Sequence, residues 1–252
     1  MSLVTTPAVL LRAYPFSESS RILRFYSRAL GVVGVVARGV RKTEGQRGGA
    51  LSTFGEGALT LYVKEGRDLQ TLKDFAPTTP RSGLARDPLR LAGASVLGEL
   101  ILQHAGGEEN PRLFAALCQG LDAVEGEPRE TLVVRLLLET WGLVRELGYG
   151  PVLRSCVICG RALEGEALGR FDFAAGGLRC PACQEEGPSG PRLGPVARHQ
   201  LAQLLAGEFR GELRRPRAHL RLVSDFVTYH ISGGTPLRSI SVLATLIPKD
   251  HA

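Results

Sequence analysis

Two Cys-x-x-Cys pairs, Cys156/Cys159 and Cys180/Cys183, constrain the fold of this chain more than any other feature, and twenty residues separate them. Each pair bends the backbone so that two thiolates meet one ion, and two such pairs complete a tetrahedral sulfur site. Four sulfurs leave no open position for water, so we predict a structural zinc ion. Disulfides and a redox or iron–sulfur role remain alternatives.

The first part of the chain is predicted to be rich in short β-strands. Turn residues such as Pro15 and the pair Leu30-Gly31 separate apolar runs rich in β-branched residues. The predicted strands cover residues 8–14, 21–27, 32–37, 58–63 and 69–75. Five such strands within about 75 residues are typical of a small closed barrel such as an OB-fold. An SH3-like barrel is the alternative.

The rest of the chain is predicted to be mainly helical. Asp87-Pro88 and Asn110-Pro111 are typical helix starts, with a capping residue followed by proline. Apolar residues then recur at helical spacing, and Trp141 is expected in the core. The predicted helices cover about 88–101, 113–124, 128–147, 194–205 and 216–230, while 240–247 fits either helix or strand. We therefore predict an α+β protein.

Three domains follow from this pattern. Residues 1–78 form the OB-fold barrel. Residues 79–151 and 191–252 form one helical domain. Residues 152–190 form a zinc module inserted into that domain.

Charge is distributed unevenly along the chain, whose net charge is +6. The first 76 residues carry +5 and residues 191–252 carry another +5, whereas residues 77–151 carry −3 and the cysteine segment, 152–190, carries −1. This asymmetry favours a polyanion at the two ends and a protein partner at the acidic middle. The charge of the cysteine segment argues mildly against its touching DNA.

Motifs for catalysis and for membrane insertion are missing from the sequence. It contains no Gly-x-x-x-x-Gly-Lys-Ser/Thr, His-Glu-x-x-His or Gly-x-Ser-x-Gly motif, and its five histidines are scattered. We therefore predict that the protein is not an enzyme. There is no apolar run of about twenty residues and no visible secretory signal. A single remaining cysteine, Cys118, fits packing in a reducing cytoplasm, where we expect the protein to act.

Several basic residues are candidates for contact with single-stranded nucleic acid. A glycine-containing loop places cations where they can approach phosphates. Seven of the fifteen aromatic residues lie before residue 76, where they either fill the barrel or stack on bases. The candidate loop residues are Arg38, Arg41, Lys42 and Arg47. The other candidates are Arg21 and Arg24 of the second strand, and Arg214, Arg215 and Arg217 of a second basic run.

The residues resemble the bacterial RecO family of recombination-repair proteins. The resemblance lies in residues 8–23 (AVLLRAYPFSESSRIL), in residues 31–42 with their basic end, and in Gly148-Tyr149 followed by the four cysteines. It implies an N-terminal OB-fold, a helical domain and a zinc element. The implied activities are DNA binding, annealing of complementary strands and, with the partner RecR, loading of RecA onto DNA coated with single-strand-binding protein.

The resemblance also implies association with single- and double-stranded DNA in the nucleoid. Two other interpretations are open. One is a zinc-stabilised protein adaptor with little direct DNA binding. The other is an RNA-binding zinc-ribbon protein of translation or transcription.

Overall fold

The computed structural model describes residues 2–38, 51–165, 167–184, 190–247 and 249. Contacts divide the chain into two compact units, Met1–Gly126 and Glu127–Ala252. The first unit therefore holds two helices together with the barrel. The domain boundaries expected from the sequence stay a prediction, because grouping by contact does not measure which segments fold independently. No helix of the described residues is long and apolar enough to span a membrane.

A closed five-stranded barrel forms the first part of unit 1. Its strands are β1 (Ser2–Pro15), β2 (Arg21–Ser27), β3 (Gly31–Ala37), β4 (Glu56–Val63) and β5 (Leu69–Thr79). They close in the order β1-β2-β3-β5-β4, and β4 returns to pair with β1. All neighbours are antiparallel except β3 and β5, which run parallel. This barrel confirms the predicted OB-like fold.

The interior of the barrel is filled by alternate residues of its strands. Ten buried residues form this core, with Phe25 and Phe75 in ring contact at 5.2 Å between centroids. The register of β1 shifts between Leu10 and Arg12. As a result two consecutive leucines are buried: Leu10 belongs to the barrel core, and Leu11 approaches Gly98 of the next helix.

Two helices complete unit 1, α1 (Pro88–His104) and α2 (Pro111–Gly126). Both begin as the sequence predicts. The Asp87 side chain accepts a hydrogen bond from Leu89 N at 2.8 Å, and Asn110 Oδ1 accepts one from Leu113 N at 3.0 Å. Each bond satisfies a donor that the first helical turn leaves free.

Unit 2 combines four helices with a small three-stranded sheet. The helices are α3 (Leu132–Glu146), α4 (Pro195–Ala206), α5 (Pro216–His230) and α6 (Arg238–Leu246). The strands are β6 (Gly169–Asp172), β7 (Gly177–Arg179) and β8 (Arg192–Leu193), in the order β7-β6-β8. Segment 240–247, which fitted helix or strand, is thus mostly helical. Trp141 is fully buried against Phe226, as expected, with 5.4 Å between ring centroids.

Candidate metal centre and nucleic-acid interface

The four cysteine sulfurs lie together although the two pairs are far apart in sequence. All four Sγ atoms lie within 4.8 Å of one another, and the Sγ atoms of Cys159 and Cys180 are 3.7 Å apart. One pair sits in the turn that the β-bridge between Ser155 and Ala162 closes, and the other follows β7. The backbone N–H of Cys156 donates to the carbonyl of Arg161 at 2.8 Å, which closes the first turn.

This donor set fits a tetrahedral thiophilic ion. Zinc–sulfur bonds of about 2.3 Å at tetrahedral angles place the sulfurs about 3.8 Å apart, which agrees with the 3.7 Å between Cys159 and Cys180. The candidate ligands are Cys156, Cys159, Cys180 and Cys183, and the first and third are buried. The structure therefore confirms a cluster that can hold a metal ion, and the four-sulfur chemistry leaves no position for a substrate.

The thiols of this cluster have different proton affinities. Burial alone would raise the pKa of Cys156, but backbone N–H groups of residues 158, 159 and 180 lower the pKa to about 6. Hydrogen bonds with the neighbouring thiols of Cys180 and Cys159 raise the pKa of Cys183 to about 12. The backbone N–H groups thus favour the thiolate of Cys156, which is the form of cysteine that binds a metal ion.

The fifth cysteine has a different role. Cys118 is half-buried in α2, far from the cluster in sequence and in the other unit. Burial raises the pKa of its thiol to about 12. It therefore stays protonated at neutral pH and contributes to packing, as the apolar surroundings in the sequence indicate.

The barrel exposes arginine and aromatic side chains on its outer face. Arg12 of β1 lies directly opposite Arg24 of β2, and Arg24 lies opposite Gly34 of β3. The guanidinium carbon of Arg12 lies 5.4 Å from the ring centroid of Tyr14. Arg24 Nη1 lies 3.7 Å from the position that a Cβ on Gly34 would occupy, so the glycine leaves room for this side chain.

The pairing of Arg12 with Arg24 is unusual because like charges at opposite positions destabilise a sheet. In the part of the chain that the structure describes, no acidic side chain pairs with either within 4.0 Å. An anion between them would relieve the repulsion. Sequence reasoning missed Arg12, because only the strand register shows that it stands opposite Arg24.

The aromatic residues of unit 1 divide between core and surface. Phe25, Tyr26, Phe54 and Phe75 are buried. Tyr14, Phe16 and Tyr62 are exposed by 41%, 59% and 36%. The exposed rings are the ones available for stacking on bases.

The predicted DNA-contacting arginines are placed in different parts of the molecule. Arg21 and Arg24 are half-buried on β2, and Arg38 is exposed just after β3. The predicted loop residues Arg41, Lys42 and Arg47 lie outside the described residues. Their roles stay predictions.

The second basic run lies in unit 2, at the start of α5. Arg214 and Arg215 are exposed, and Arg215 has a left-handed backbone with φ 53°. Arg217 is half-buried and donates from Nε and Nη2 to the carbonyl of Ile247 at 2.9 and 2.6 Å. That contact supports the end of α6 and competes with the predicted phosphate contact of Arg217.

Comparison with known proteins covers both units. Residues 1–81 match the family model for the N-terminal part of recombination protein O, and residues 85–239 match the model for its C-terminal part. A protein of Rubrobacter xylanophilus named DNA repair protein RecO is 30% identical over 249 residues, which cover 94% of this chain and 96% of the relative.

Other similar proteins carry the same name. The DNA repair protein RecO of Desulfitobacterium hafniense is 32% identical over 85% of this chain and 77% of its own length. That of Synechococcus elongatus is 33% identical over 161 residues, 64% of this chain. In the Synechococcus case the match spans only 60% of the relative's length.

Proposed function

Because the chain belongs to the RecO family of DNA repair proteins, we propose that it is a DNA-binding recombination mediator. In this role it anneals complementary single strands. Together with RecR it helps to load RecA onto DNA coated with single-strand-binding protein. The observation that carries the proposal is the match of both family models, in order, to the barrel (residues 1–81) and to the helices and cysteines that follow it (residues 85–239).

Chemistry on the barrel supports direct contact with DNA. Arg12 and Arg24 place two positive charges at opposite positions, with the ring of Tyr14 beside them. Guanidinium groups bind phosphate oxygens, and an exposed ring stacks on a base with about 1–3 kcal/mol. Phosphate contacts carry no sequence information, so binding is sequence-independent.

Annealing follows from charge neutralisation. Two single strands repel each other through their phosphates, and arginine side chains that contact both strands offset this repulsion. Complementary bases then test pairing, and base pairing supplies the specificity. The process uses no nucleotide hydrolysis, which agrees with the missing phosphate-binding loop.

We propose that the ion held by the four cysteines is zinc and that its role is structural. When bound, it supplies a cross-link between the turn at Cys156/Cys159 and the end of β7. Residues of this chain do the rest: they hold the sulfurs together and exclude a fifth ligand. We further propose that the protein acts at the nucleoid in the cytoplasm.

The proposal is tested by annealing of two complementary fluorescent oligonucleotides by purified protein without nucleotide, across a salt series. We expect annealing that is faster than the spontaneous reaction and that slows as salt rises. Arg12→Gln/Arg24→Gln should slow it. Arg86→Gln/Arg112→Gln serves as the matched control, because both residues are exposed arginines of unit 1 away from the barrel.

Two results would overturn the proposal. The first is no acceleration at any salt concentration by folded, metal-loaded protein, which would favour a protein adaptor. The second is preferential binding of RNA over DNA of the same sequence, in direct competition.

A further inference from the structure

The sheet next to the metal centre carries a row of three arginines. Arg170 on β6 lies directly opposite Arg179 on β7 and directly opposite Arg192 on β8. Residues at opposite positions of antiparallel strands point to the same face of a sheet. The other face holds Phe171 and Leu178, which are fully buried. The arginines therefore share the opposite face, on which Arg192 is exposed and Arg170 is half-buried.

One member of this arginine row is already neutralised within the protein. Arg179 donates from Nε to Asp172 Oδ2 at 2.6 Å, and its Nη1 lies 3.4 Å from the carbonyl of Cys183. It also directly precedes Cys180, one of the four sulfur ligands. Arg179 thus neutralises Asp172 and also contacts a backbone carbonyl of the cysteine cluster.

The other two members are not neutralised in this way. Within residues 2–38, 51–165, 167–184 and 190–247, no carboxylate lies within 4.0 Å of the guanidinium of Arg170 or Arg192. The Nε of Arg170 is buried and has no hydrogen-bond partner there, and Arg192 is exposed. Two adjacent like charges, one with an unmet donor, form a site whose charge and donors suit an anion.

We propose that this arginine row is a second nucleic-acid contact, in which Arg170 and Arg192 bind the phosphates of single-stranded DNA. The inference rests on the proposed function. Adjacent β-strands lie about 4.8 Å apart, and adjacent phosphates along an extended nucleic-acid strand have a comparable spacing. Two guanidinium groups on neighbouring β-strands can therefore bind two successive phosphates. The net charge of −1 in segment 152–190 did not indicate this surface. Arg192 lies outside that segment, and the net charge counts the acidic residues of the segment whether or not they lie near the arginines.

An ion held by the four cysteines would fix Cys180 and with it the end of β7. Arg179, the last residue of β7, would then stay paired with Asp172. Arg170 and Arg192 are left for the nucleic acid. The zinc module thereby contributes to DNA binding through the strand register that it stabilises, and not through the ion itself.

The experiment compares the salt dependence of single-stranded DNA affinity for full-length wild type, Arg170→Gln/Arg192→Gln and Arg170→Lys/Arg192→Lys. Arg154→Gln/Arg161→Gln is the matched control, since these are exposed arginines of the same module with the same change in charge. Loss of two phosphate contacts lowers the magnitude of the slope of log affinity against log salt by about 1.4. Between 0.1 M and 1 M salt, the affinity of the glutamine variant should therefore fall by a factor about 25 times smaller than that of wild type. The lysine variant should keep most of the slope.

Metal content and melting temperature, measured on the same samples, identify a variant that has lost its fold. If Arg170→Gln lowers either, Arg192→Gln alone carries the test, with an expected slope change of about 0.7. An unchanged slope in folded glutamine variants overturns the proposal of a second contact. The proposed function is unaffected by that result as long as wild type binds DNA. An equal loss in the Arg154/Arg161 control also overturns it, because the effect would then be one of net charge. If wild type binds no DNA, both the second contact and the proposed function are overturned.

Discussion

Arg81 Nε lies 2.6 Å from Asp122 Oδ1, which ties the segment after β5 to α2 within unit 1. The Arg81 side chain is almost fully buried and also bonds Glu56 at 2.9 Å and the carbonyl of Phe54 at 3.1 Å. Its backbone is left-handed, with φ 46°. One buried cation thus satisfies acceptors on two separate segments, residues 54–56 and α2.

Replacing Arg81 by alanine is expected to lower the free energy of unfolding by about 3 kcal/mol, because breaking a buried ion pair leaves Glu56 and the Phe54 carbonyl unpaired. Asp122→Ala should cost less than about 1 kcal/mol, since that carboxylate is half-exposed. Urea denaturation of both variants measures the difference. Equal losses would show that Arg81 acts mainly through Asp122.

Gly31 and Gly66 form a matched pair for testing the turn between β2 and β3. Both have positive φ, 57° and 73°. A Cβ on Gly31 would overlap the carbonyl of Gly106, which accepts from Val32 N at 3.0 Å, whereas a Cβ on Gly66 meets nothing within 4 Å. We expect Gly66→Ala to cost about 1 kcal/mol and Gly31→Ala about 3 kcal/mol or more. Thermal melting checks this order, and similar losses would contradict it.

The hydroxyl of Tyr26 is buried and, among the described residues, has no hydrogen-bond partner. Tyr26→Phe should therefore raise the free energy of unfolding by about 1 kcal/mol, or leave it unchanged. Burial raises the pKa of Tyr26 from 10.0 to about 12. Its raised pKa favours the neutral form in the folded state, so this contribution is fully present below pH 10 and is lost as the pH rises towards 12.

Absorbance titration at 295 nm tests the raised pKa of Tyr26, and denaturation at pH 9 and pH 11 tests the loss of its contribution to stability. Tyr26→Phe should lose less stability between the two pH values than wild type. A destabilisation of more than about 1 kcal/mol at pH 7 would mean that the hydroxyl has a partner.

Removing two sulfur ligands, in Cys156→Ser/Cys159→Ser, should abolish binding of the metal and lower the melting temperature first, with DNA affinity affected only secondarily. The reason is that an ion bound by the four sulfurs would cross-link two segments of unit 2. Cys118→Ala is the control and should retain one equivalent of metal. Metal analysis and thermal melting provide the readouts. Lost DNA binding with unchanged melting would reverse the expected order.

Reversing three charges of the predicted basic loop, in Arg38→Glu/Arg41→Glu/Lys42→Glu, should weaken single-stranded DNA binding and lower the salt slope by about 2 or more. The melting temperature should not change. Arg86→Glu/Arg112→Glu/Arg161→Glu makes the same change in net charge at exposed positions elsewhere. Normal binding and annealing by the folded loop variant would show that the loop assignment is wrong.

Local features of this chain were predictable from the sequence because their signals lie within a few residues of one another. Asp87 and Asn110 mark helix starts through bonds to residues two or three positions later. The two cysteines of each pair lie within a single backbone turn, so each pair is recognisable from local sequence alone. Turn residues between apolar, β-branched runs likewise predicted five short strands, and the OB-like barrel was confirmed.

Only the tertiary structure decided which distant residues face each other. Arg12 and Arg24 are opposite because of a register that includes a shift in β1, and Arg170 meets Arg192 across strands joined through a long connection. A shift by one residue would turn each of these side chains to the other face of its sheet. Register depends on the packing of whole strands, which no short stretch of sequence specifies. The sequence by itself therefore determined the elements and the four clustered cysteines, whereas the folded chain determined the charged surfaces.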